Sequence, residues 1–424
     1  MSGLAEYFYE HGFTVSGSDR ESSARTERLK ALGIAVTVGH SEKNLEGVHA
    51  VVYSDAIDDD NPELKWAKEQ RLYVIPRVKA LSMIAENFGQ TVGVCGCHGK
   101  TTVTCMLAHV FTCAGLEFTA HIGGEDRVLG GFISKGSKIF LTEVCEFKKN
   151  IDKFTADFAV CVNYGKDHMD CYDSEEELKN SYLSFIKRAY KSIINKNDKV
   201  LSGYNGKNAV GFSVEGDGEV VAKNLNQKNG AYTFDLYVDG EKKTRIRLSV
   251  KGRHNVENAL AVCTCAIKLG VPVKAIKAGL ASFKGVVRRF EEIGRLGDGR
   301  VIADYAHHPT EIESAIQCAR ESCKGKIYVV FQPHTYSRTV FLKDRFVSVL
   351  SKIENLSLFK TFSAREKYIE GGGADDLCKL IEGASYFDDE SQVLAYYKKL
   401  LKKGDVLLIL GAGDLCGKIA KGLI

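Results

Sequence analysis

The stretch from residue 90 to residue 113 reads QTVGVCGCHGKTTVTCMLAHVFTC, and it indicates the fold class of the surrounding segment. An apolar β-branched run is followed by a glycine-rich turn and then by a helical pattern. Successive N–H groups of such a turn point into one concavity, and the helix start adds partial positive charge, so a phosphate chain is favoured there. The predicted phosphate loop is Gly96-Cys97-His98-Gly99-Lys100-Thr101-Thr102.

Two side chains of this loop have predicted roles. Lys100 can reach the β- and γ-phosphates of a nucleotide, and Thr101 can place its hydroxyl on Mg²⁺. The spacing differs from the strict P-loop pattern because Gly93 lies one residue too far upstream. A glycine-rich turn with a chance lysine is the alternative interpretation, and the flanking strand and helix argue against it.

Elsewhere the chain alternates short β-branched runs with longer helical patterns, which is typical of α/β domains with parallel sheets. Its 424 residues correspond to roughly two to four domains. We predict three: a Rossmann-like domain over 1–87, a central P-loop ATPase domain over 88–287, and a second Rossmann-like domain over 288–424. The chain opens on a helix, whereas such folds normally begin with a strand, so we expect the first domain to be truncated and to lack its first strand.

Composition argues against several classes of protein. The formal net charge is +4 with no block of basic residues, so we expect no nucleic-acid partner. Thirteen cysteines without regular spacing fit core residues in a reducing cytoplasm rather than a disulfide scaffold. There is no signal peptide and no apolar run near the roughly 18 residues of a spanning helix, so we expect a cytoplasmic protein without a membrane partner.

Two predicted strand ends carry candidate metal ligands. The run KIFLTE reads as a buried parallel strand ending at Glu143, at the sheet edge where open α/β folds bind ligands. Glu143 either shares the Mg²⁺ of Thr101 or simply emerges into solvent, and the nearby Glu146 is not excluded. The run FAVCVN precedes an Asp-His-Met-Asp motif at residues 167–170, in which His168 is either a metal ligand or a packed imidazole.

Two polar pairs follow in the second half of the chain. Asn255 and Asn258 lie three residues apart at the start of a helix, so they share one face and could contact the edge of a base. An exposed polar first turn is the alternative for them. Arg288 and Arg289 lie at the predicted second linker, where they either clamp a phosphate or form a solvated basic turn.

Two longer clusters lie just past predicted strands of the third domain, and we expect them to face one cleft. The second contains Arg338, which is suited to hold a carboxylate. A third strand, VLLIL, leads into Gly411-Ala-Gly413, which we interpret as a tight strand-to-helix turn rather than a second nucleotide site. The two clusters are Asp304-Tyr305-Ala306-His307-His308-Pro309-Thr310 and Gln332-Pro333-His334-Thr335-Tyr336-Ser337-Arg338.

Taken together, these motifs resemble those of the Mur ligase family over essentially the whole chain. The family's G-T-H-G-K-T-T loop appears as GCHGKTT, and its D-H-M-D, H-N-x-x-N and D-Y-A-H-H-P-T-E-I motifs are intact. V-x-R-R-F is present as VVRRF, and Q-P-H-x-Y-S-R reads QPHTYSR. The first segment resembles the family's UDP-sugar domain through Ser16-Gly-Ser-Asp19, Gly39-His40, Ser54-Asp-Ala-Ile57 and Asn61-Pro-Glu63.

The resemblance implies UDP-sugar, ATP and amino-acid domains and an ATP-dependent carboxylate–amine ligase. The branch it resembles most joins L-alanine to the lactyl carboxylate of UDP-N-acetylmuramate through an acyl phosphate, in peptidoglycan precursor synthesis. The implied cofactors are ATP and Mg²⁺, and the implied substrates are UDP-N-acetylmuramate and L-alanine. We expect a monomer or a homodimer.

The resemblance also implies roles for individual residues. Lys100, His168, Arg288, Arg289, His308 and Arg338 are the predicted catalytic residues. The phosphate loop, Asn255, Asn258 and Asp304 are predicted to bind the nucleotide, with the asparagines at adenine. Thr101, Glu143 and His168 are the predicted metal ligands. The predicted substrate-binding residues are Ser16, Asp19, His40, Ser54, Tyr305, His307, His334 and Arg338, the last at the alanine carboxylate.

The sequence departs from the family pattern at several places besides the missing first strand. The common E-A-D-E-S-D reads Glu143-Val-Cys-Glu-Phe-Lys, Asp55 replaces a usual second serine, and Thr335 replaces a usual basic residue. Thr335 leaves open a murein-peptide ligase, which attaches a recycled tripeptide to the same sugar. The missing strand leaves open a non-catalytic nucleotide-binding relative.

Overall fold

The computed structural model describes residues 1–423, apart from the side chain of Asp170. Residue 424, at the end of the predicted third domain, and the last side chain of the Asp-His-Met-Asp motif therefore lie outside the described residues. The chain forms two compact units. The first comprises Met1–Lys223, Leu236–Thr244 and Glu257–Phe283, and the second comprises Asn224–Asp235, Arg245–Val256 and Lys284–Ile424.

The amino-terminal part of the first unit alternates helices with two small parallel sheets, β1-β2 and β3-β4. Polar side chains cap two of its helices: Ser23 caps the second helix, and Asn61 caps the third, which begins with a proline. The elements are α1 (Ser2–Glu10), β1 (Ser16–Asp19), α2 (Ala24–Ala31), β2 (Ala35–Val38), β3 (Ala50–Tyr53), α3 (Pro62–Glu69), β4 (Tyr73–Pro76) and α4 (Arg77–Ala85).

A ten-stranded sheet follows, in the order β14-β13-β12-β11-β10-β9-β5-β8-β6-β7. Its central strands are parallel, and their side chains are almost all buried, as expected for a sheet covered on both faces. The strands are β5 (Gln90–Cys95), β6 (Phe118–Asp126), β7 (Gly130–Ser134), β8 (Ile139–Glu143), β9 (Phe158–Cys161), β10 (Lys191–Asn195), β11 (Ala209–Val214), β12 (Val220–Lys228), β13 (Ala231–Val238) and β14 (Glu241–Lys251). The helices are α5 (Lys100–Cys113), α6 (Glu175–Arg188), α7 (His254–Lys268) and α8 (Val273–Ser282).

The second unit contains a six-stranded sheet in the order β15-β16-β20-β17-β18-β19. All its strand pairs are parallel except β15 with β16. The strands are β15 (Glu291–Leu296), β16 (Gly299–Asp304), β17 (Ile327–Phe331), β18 (Leu356–Phe359), β19 (Ser385–Phe387) and β20 (Val406–Leu410). The helices are α9 (Pro309–Ser322), α10 (Tyr336–Phe341), α11 (Lys343–Leu350), α12 (Ala374–Cys378), α13 (Glu390–Leu400) and α14 (Leu415–Lys421).

Register in this sheet brings the predicted polar clusters to one edge. Asp304 pairs with Leu410, and Leu410 pairs with Phe331 on the other side. The segments that follow β16, β20 and β17 therefore leave the sheet side by side. This agrees with the prediction that the clusters after two of these strands face one cleft.

Two expectations from composition can be compared with the structure. The structure forms no disulfide within residues 1–423, and eight of the thirteen cysteines are buried. Within residues 1–423, no helix combines the length and the hydrophobicity needed to cross a bilayer.

Candidate functional site

The phosphate loop follows β5 and leads directly into α5, as predicted. Gly96 and Gly99 both have left-handed φ values, of 144° and 85°. A Cβ atom on Gly99 would lie 2.5 Å from Oδ1 of Asn258, and one on Gly96 would lie 3.2 Å from the backbone N of Asn163. Both positions therefore require glycine, because the backbone is left-handed and its neighbours are too close for a side chain.

Asn163, at the end of the β9 segment, fixes the centre of the loop. Its Oδ1 accepts a hydrogen bond from the backbone N–H of His98 (2.9 Å), and its Nδ2 donates to the His98 carbonyl (3.0 Å). The Cys97 thiol lies 3.3 Å from Nε2 of His98. The conformation of the loop is thus held by the neighbouring strand as well as by its own glycines.

Lys100 is held inside the loop by a buried acid. Its Nζ donates to the Gly96 carbonyl (2.5 Å) and to Oε2 of Glu146 (3.1 Å). The Lys100 side chain is 16% exposed and that of Glu146 is 0% exposed. Burial acts most strongly and lowers the pKa of Lys100, but the Glu146 carboxylate together with the nearby Cys145 and Cys97 raises it by more, so the net pKa lies above its usual value and the ammonium stays charged.

The structure brings two predicted metal ligands together at the same sheet edge. Thr101 donates from Oγ1 to Oε2 of Glu143 (2.9 Å). The other carboxylate oxygen of Glu143 accepts from the backbone N–H of Gly123 (2.6 Å). Glu143 therefore does not simply emerge into solvent: it sits beside the hydroxyl with which it was predicted to share a metal ion.

The third predicted metal ligand, His168, lies in a group that the sequence did not single out. Ligand atoms of Glu146, Asp167 and His168 all lie within 4.8 Å of one another. The His168 ring also contacts the ring of Phe147, at a centroid distance of 5.0 Å. Two carboxylates and an imidazole are ligands suited to a divalent cation. Glu146 thus lies next to both Lys100 and His168.

Helix α7 carries the two predicted adenine contacts. Asn255 donates from Nδ2 to the Lys251 carbonyl (2.6 Å). Oδ1 of Asn258 is the atom nearest to the space above Gly99, so this side chain borders the phosphate loop. Both asparagines are buried, so neither forms the exposed polar turn considered as an alternative. Thr102 is half-buried in the first turn of α5.

In the second unit, the predicted arginine pair surrounds Tyr305. The guanidinium carbons of Arg288 and Arg289 lie 5.0 and 5.2 Å from the Tyr305 ring centroid, within cation–π range. Nη2 of Arg288 donates to the carbonyls of Gly411 and Gly413 (both 2.8 Å), and Nη1 of Arg289 donates to Glu311 (3.1 Å). These glycines lie in the short connection between β20 and α14, and a freely solvated arginine turn is not what the structure shows.

Asp304 is a buried carboxylate with main-chain partners. It accepts hydrogen bonds from the N–H groups of Phe290 and Ala306 (2.8 Å each). Burial raises its pKa to about 6, although the charge of Arg289 and these two hydrogen bonds act in the opposite direction. Both carboxylate oxygens are therefore used by the backbone of the second unit itself.

The histidines of the second unit meet as predicted. The rings of His307 and His334 lie 5.9 Å apart, and Nδ1 of His334 lies 3.1 Å from Nη1 of Arg338. His308 is buried and caps α9, accepting from the Thr310 N–H at 3.4 Å. The two clusters that follow β16 and β17 thus form one group.

The four predicted sugar-binding residues of the first domain do not all line the same cavity. Ser54 lines a cavity of about 310 Å³ in the first unit, and the other three are absent from its lining. His40 instead contacts Ser18 (3.0 Å) and Glu63 (3.6 Å), and Ser16 and Asp19 are the ends of β1.

Family models match almost the whole chain. The model described as "Mur ligase family, catalytic domain" matches residues 1–89, "Mur ligase middle domain" matches 94–266, and "Mur ligase, glutamate ligase domain" matches 288–413. The chain belongs to the Mur ligase family. The predicted fold class, three α/β domains, is the architecture of this family and is confirmed.

Several named Mur ligases are similar to this chain over most of their length. The UDP-N-acetylmuramate–L-alanine ligase of Clostridium novyi is 38% identical over 98% of this chain and 93% of its own. The enzyme of the same name from Aquifex aeolicus is 37% identical with the same coverage. The crystal structure of UDP-N-acetylmuramate–alanine ligase MurC from Thermotoga maritima matches with a TM-score of 0.84 at 26% identity, over 100% of this chain and 95% of that one.

A more distant Mur ligase structure shares only the fold. The murein peptide ligase of Psychrobacter arcticus matches with a TM-score of 0.74 at 20% identity, covering 100% of this chain and 96% of its own. A murein-peptide ligase was an alternative that the sequence left open. The relatives at 36–38% identity instead carry the alanine-ligase name.

Proposed function

We propose that this Mur ligase joins L-alanine to the lactyl carboxylate of UDP-N-acetylmuramate and that ATP drives the reaction. The proposal rests on relatives that are 36–38% identical over 98% of the chain. Each of them is named UDP-N-acetylmuramate–L-alanine ligase. The phosphate loop, with Lys100 and the acids around it, supplies the groups that such a reaction requires.

The reaction has two steps. A lactyl carboxylate oxygen attacks the γ-phosphorus of ATP, the bond to the bridging oxygen breaks, and ADP leaves an acyl phosphate behind. The alanine amine then attacks the acyl carbon, and phosphate departs from a tetrahedral intermediate after the amine loses a proton. Both steps depend mainly on positioning and charge neutralisation.

Lys100 neutralises charge on the transferred phosphoryl group. In the structure its ammonium is paired with Glu146 and the Gly96 carbonyl, so it is already charged and fixed within the loop. The phosphates of ATP replace Glu146 as the partner of Lys100, or share the ammonium with it. Donors fixed before the reaction stabilise developing charge without reorganisation at the moment of transfer.

Thr101, Glu143 and His168 are the residues that would hold Mg²⁺. Their hydroxyl, carboxylate and imidazole groups fit a hard divalent cation, and Asp167 and Glu146 add carboxylates beside His168. Bound Mg²⁺ would neutralise charge on the phosphate oxygens. The chain itself contributes the orientation of Glu143, whose second oxygen is fixed by the Gly123 N–H.

The remaining predicted roles are part of the same proposal. Asn255 and Asn258 contact adenine, Arg288 or Arg289 contacts phosphate, and Arg338, steadied by His334, contacts the alanine carboxylate. We place the enzyme in the cytoplasm, where ATP is available, as a monomer or a homodimer.

Phosphate release tests this proposal directly. The enzyme is incubated with ATP, Mg²⁺ and UDP-N-acetylmuramate, and L-alanine or the tripeptide L-alanyl-γ-D-glutamyl-meso-diaminopimelate is added in turn. We expect release that depends on L-alanine, and mass spectrometry should find the alanyl product. Release with the tripeptide alone would identify a murein-peptide ligase, and ATP binding without release under any condition would identify a non-catalytic relative.

A further inference from the structure

A serine, a histidine and a carboxylate are linked by hydrogen bonds in the first unit. His109 belongs to α5, Asp126 ends β6 and Ser282 ends α8. The Ser282 hydroxyl oxygen lies 2.8 Å from Nδ1 of His109, and both carboxylate oxygens of Asp126 lie 3.2 Å from its Nε2. His109 comes two and a half turns after Lys100 on the same helix, roughly 14 Å along its axis. We call these three residues the serine triad.

The carboxylate of the serine triad is fixed and ionised. Oδ1 of Asp126 also accepts hydrogen bonds from the backbone N–H groups of Val128 and Leu129 (2.8 Å each). Burial acts most strongly and raises the pKa of Asp126, but the hydrogen bonds from His109, Leu129 and Val128 lower it by more, so the net pKa lies below its usual value. An ionised carboxylate can only accept hydrogen bonds.

The carboxylate determines which nitrogen of His109 carries the hydrogen. Because Asp126 only accepts, Nε2 must be the donor, and in the neutral imidazole Nδ1 then has a free lone pair. The partner of Nδ1 is the Ser282 hydroxyl, which therefore donates to it. The Gly279 carbonyl, 2.9 Å from the same hydroxyl, is the acceptor that remains when the imidazole is protonated.

Burial increases from the serine to the carboxylate. The side chain of His109 is 5% exposed and that of Asp126 is 0% exposed, whereas Ser282 is half-buried. The Phe283 ring packs edge-on against the imidazole, at a centroid distance of 5.6 Å. Ala278, one turn earlier on the same side of α8, is exposed and too small to cover the hydroxyl. A small molecule can therefore reach the serine, while water is kept from the histidine and the carboxylate.

These contacts are those of an activated nucleophile. A nucleophile, a base and a group that orients the base, each within roughly 2.6–3.2 Å of the next, are recognised by their geometry and not by their order in the chain. A simple connection between α5 and α8 would need only Ser282 and His109. The buried charge of Asp126 adds stabilisation for the imidazolium that forms when the serine loses its proton.

We propose that Ser282, activated by His109 and Asp126, is a nucleophile that accepts acyl groups from small activated esters. Its Oγ attacks the carbonyl carbon while its proton passes to Nδ1 of His109. The bond to the alcohol oxygen breaks, and His109 gives the proton to that oxygen. Water then attacks the acyl-serine, its proton passes through His109 to the Ser282 oxygen, and a carboxylic acid leaves. This activity lies beyond the proposed ligase reaction and uses none of its residues.

A fluorophosphonate probe tests the nucleophile in the full chain. The serine oxygen attacks phosphorus, fluoride leaves, and mass spectrometry of peptides locates the adduct. Ser322 is the matched control: it ends α9, is half-buried and also donates to a carbonyl of its own helix, that of Cys318 (2.8 Å), but the described chain places no histidine at its hydroxyl. We expect Ser282 to react at least about 100-fold faster than Ser322. Equal rates, or no adduct at Ser282, would overturn the proposal.

Two variants and a denaturant test the role of the base. His109→Gln should slow the labelling of Ser282 about 100-fold, because the general base is lost. Concentrated urea should make Ser282 and Ser322 of the wild type react equally slowly, since the serine triad exists only in the folded chain. A folded His109→Gln variant that is labelled as fast as the wild type would overturn the proposal. If His109→Gln does not fold, the comparison of the two serines in the wild type decides the question.

Turnover of p-nitrophenyl acetate tests the second half of the cycle. We expect the wild type to release p-nitrophenol steadily and Ser282→Ala to release it no faster than Ser322→Ala releases it after the triad is blocked by the fluorophosphonate. A wild type that hydrolyses the ester no faster than Ser282→Ala would overturn the proposal. Phosphate release that depends on L-alanine is measured on the same samples and should persist in Ser282→Ala, so failure of the ligase assay and failure of the ester assay are distinguishable.

Discussion

Each unit has a buried carboxylate close to the carboxyl end of a parallel strand, but the partners of the two carboxylates differ. Glu146, just past β8, pairs with the side-chain ammonium of Lys100. Asp304, at the end of β16, accepts from the backbone N–H groups of Phe290 and Ala306. A side chain can exchange partners when a ligand arrives, whereas a backbone N–H is fixed by the chain. The first arrangement suits a centre that changes during a reaction, and the second suits a scaffold.

The difference clarifies what Asp304 does in the protein. Its hydrogen bonds tie the segment before β15 to the segment after β16, which are the segments that carry Arg289 and Tyr305. Its predicted contact with the nucleotide remains a prediction. The contacts that the structure does show are those of a residue that positions its neighbours.

The largest expected effect comes from breaking the ion pair between Lys100 and Glu146. Lys100→Met should lower the rate of phosphate release by about 10³-fold, because it removes a fixed positive charge from the transferred phosphoryl group. It should also reduce the free energy of unfolding by about 3–5 kcal/mol, since Glu146 is left buried without its counter-charge. Steady-state phosphate release and urea denaturation measure the two effects.

A double variant separates these two consequences. Lys100→Met with Glu146→Gln removes both charges, so it should recover most of the lost stability while the activity stays low. If the single Lys100→Met variant unfolds at the same urea concentration as the wild type, Glu146 does not depend on this pair, and the contrast with Asp304 loses its basis.

The sequence predicted the fold class and the phosphate loop because both depend on local patterns. A strand, a glycine turn and a helix follow one another at residues 90–113, and the loop needs no distant partner to be identified. The position of Glu143 was predicted for a similar reason, since an apolar run that ends in an acid marks a strand end at the ligand-binding edge. The β16 and β17 clusters followed from the same rule.

What the sequence did not predict depends on contacts between distant segments. Asn163 reaches His98 because β9 and β5 are neighbours in the sheet, and a single sequence does not give strand order. Glu146 was only a possible ligand because its pairing with Lys100 depends on how the turn after β8 folds. Within residues 1–423, Nδ1 of His121 and Oδ1 of Asn150 have no hydrogen-bond partner, which can be recognised only once the fold is known.

A smaller effect is expected for Asp304, whose ionisation should change the stability of the second unit with pH. Asp304 has an ordinary pKa of 3.8 that burial raises to about 6 in the folded protein. Between these values the folded state binds more protons than the unfolded state, so stability falls as the pH rises from about 4 to about 7. Two pKa units correspond to about 3 kcal/mol, which is the upper limit of the expected loss.

Urea denaturation at several pH values, with Asp304→Asn as the reference, measures this contribution. The stability of the wild type relative to the variant should decrease between pH 4 and pH 7, because asparagine does not ionise. A relative stability that increases over this range would show that Asp304 ionises more easily in the folded protein, contrary to the effect of its burial.

The smallest expected effect concerns the two hydrogen bonds by which Asn163 holds the phosphate loop in its conformation. Asn163→Ala removes two hydrogen bonds to the His98 backbone, so the loop should lose order. We expect the KM for ATP to rise about tenfold, and the free energy of unfolding to fall by about 1 kcal/mol. Asn226→Ala, at an exposed position in β12, is the matched control and should alter neither quantity. A loss of stability with an unchanged KM for ATP would mean that Asn163 supports the sheet edge without shaping the loop, and that the geometry around Lys100 is set by its glycines and Glu146 alone.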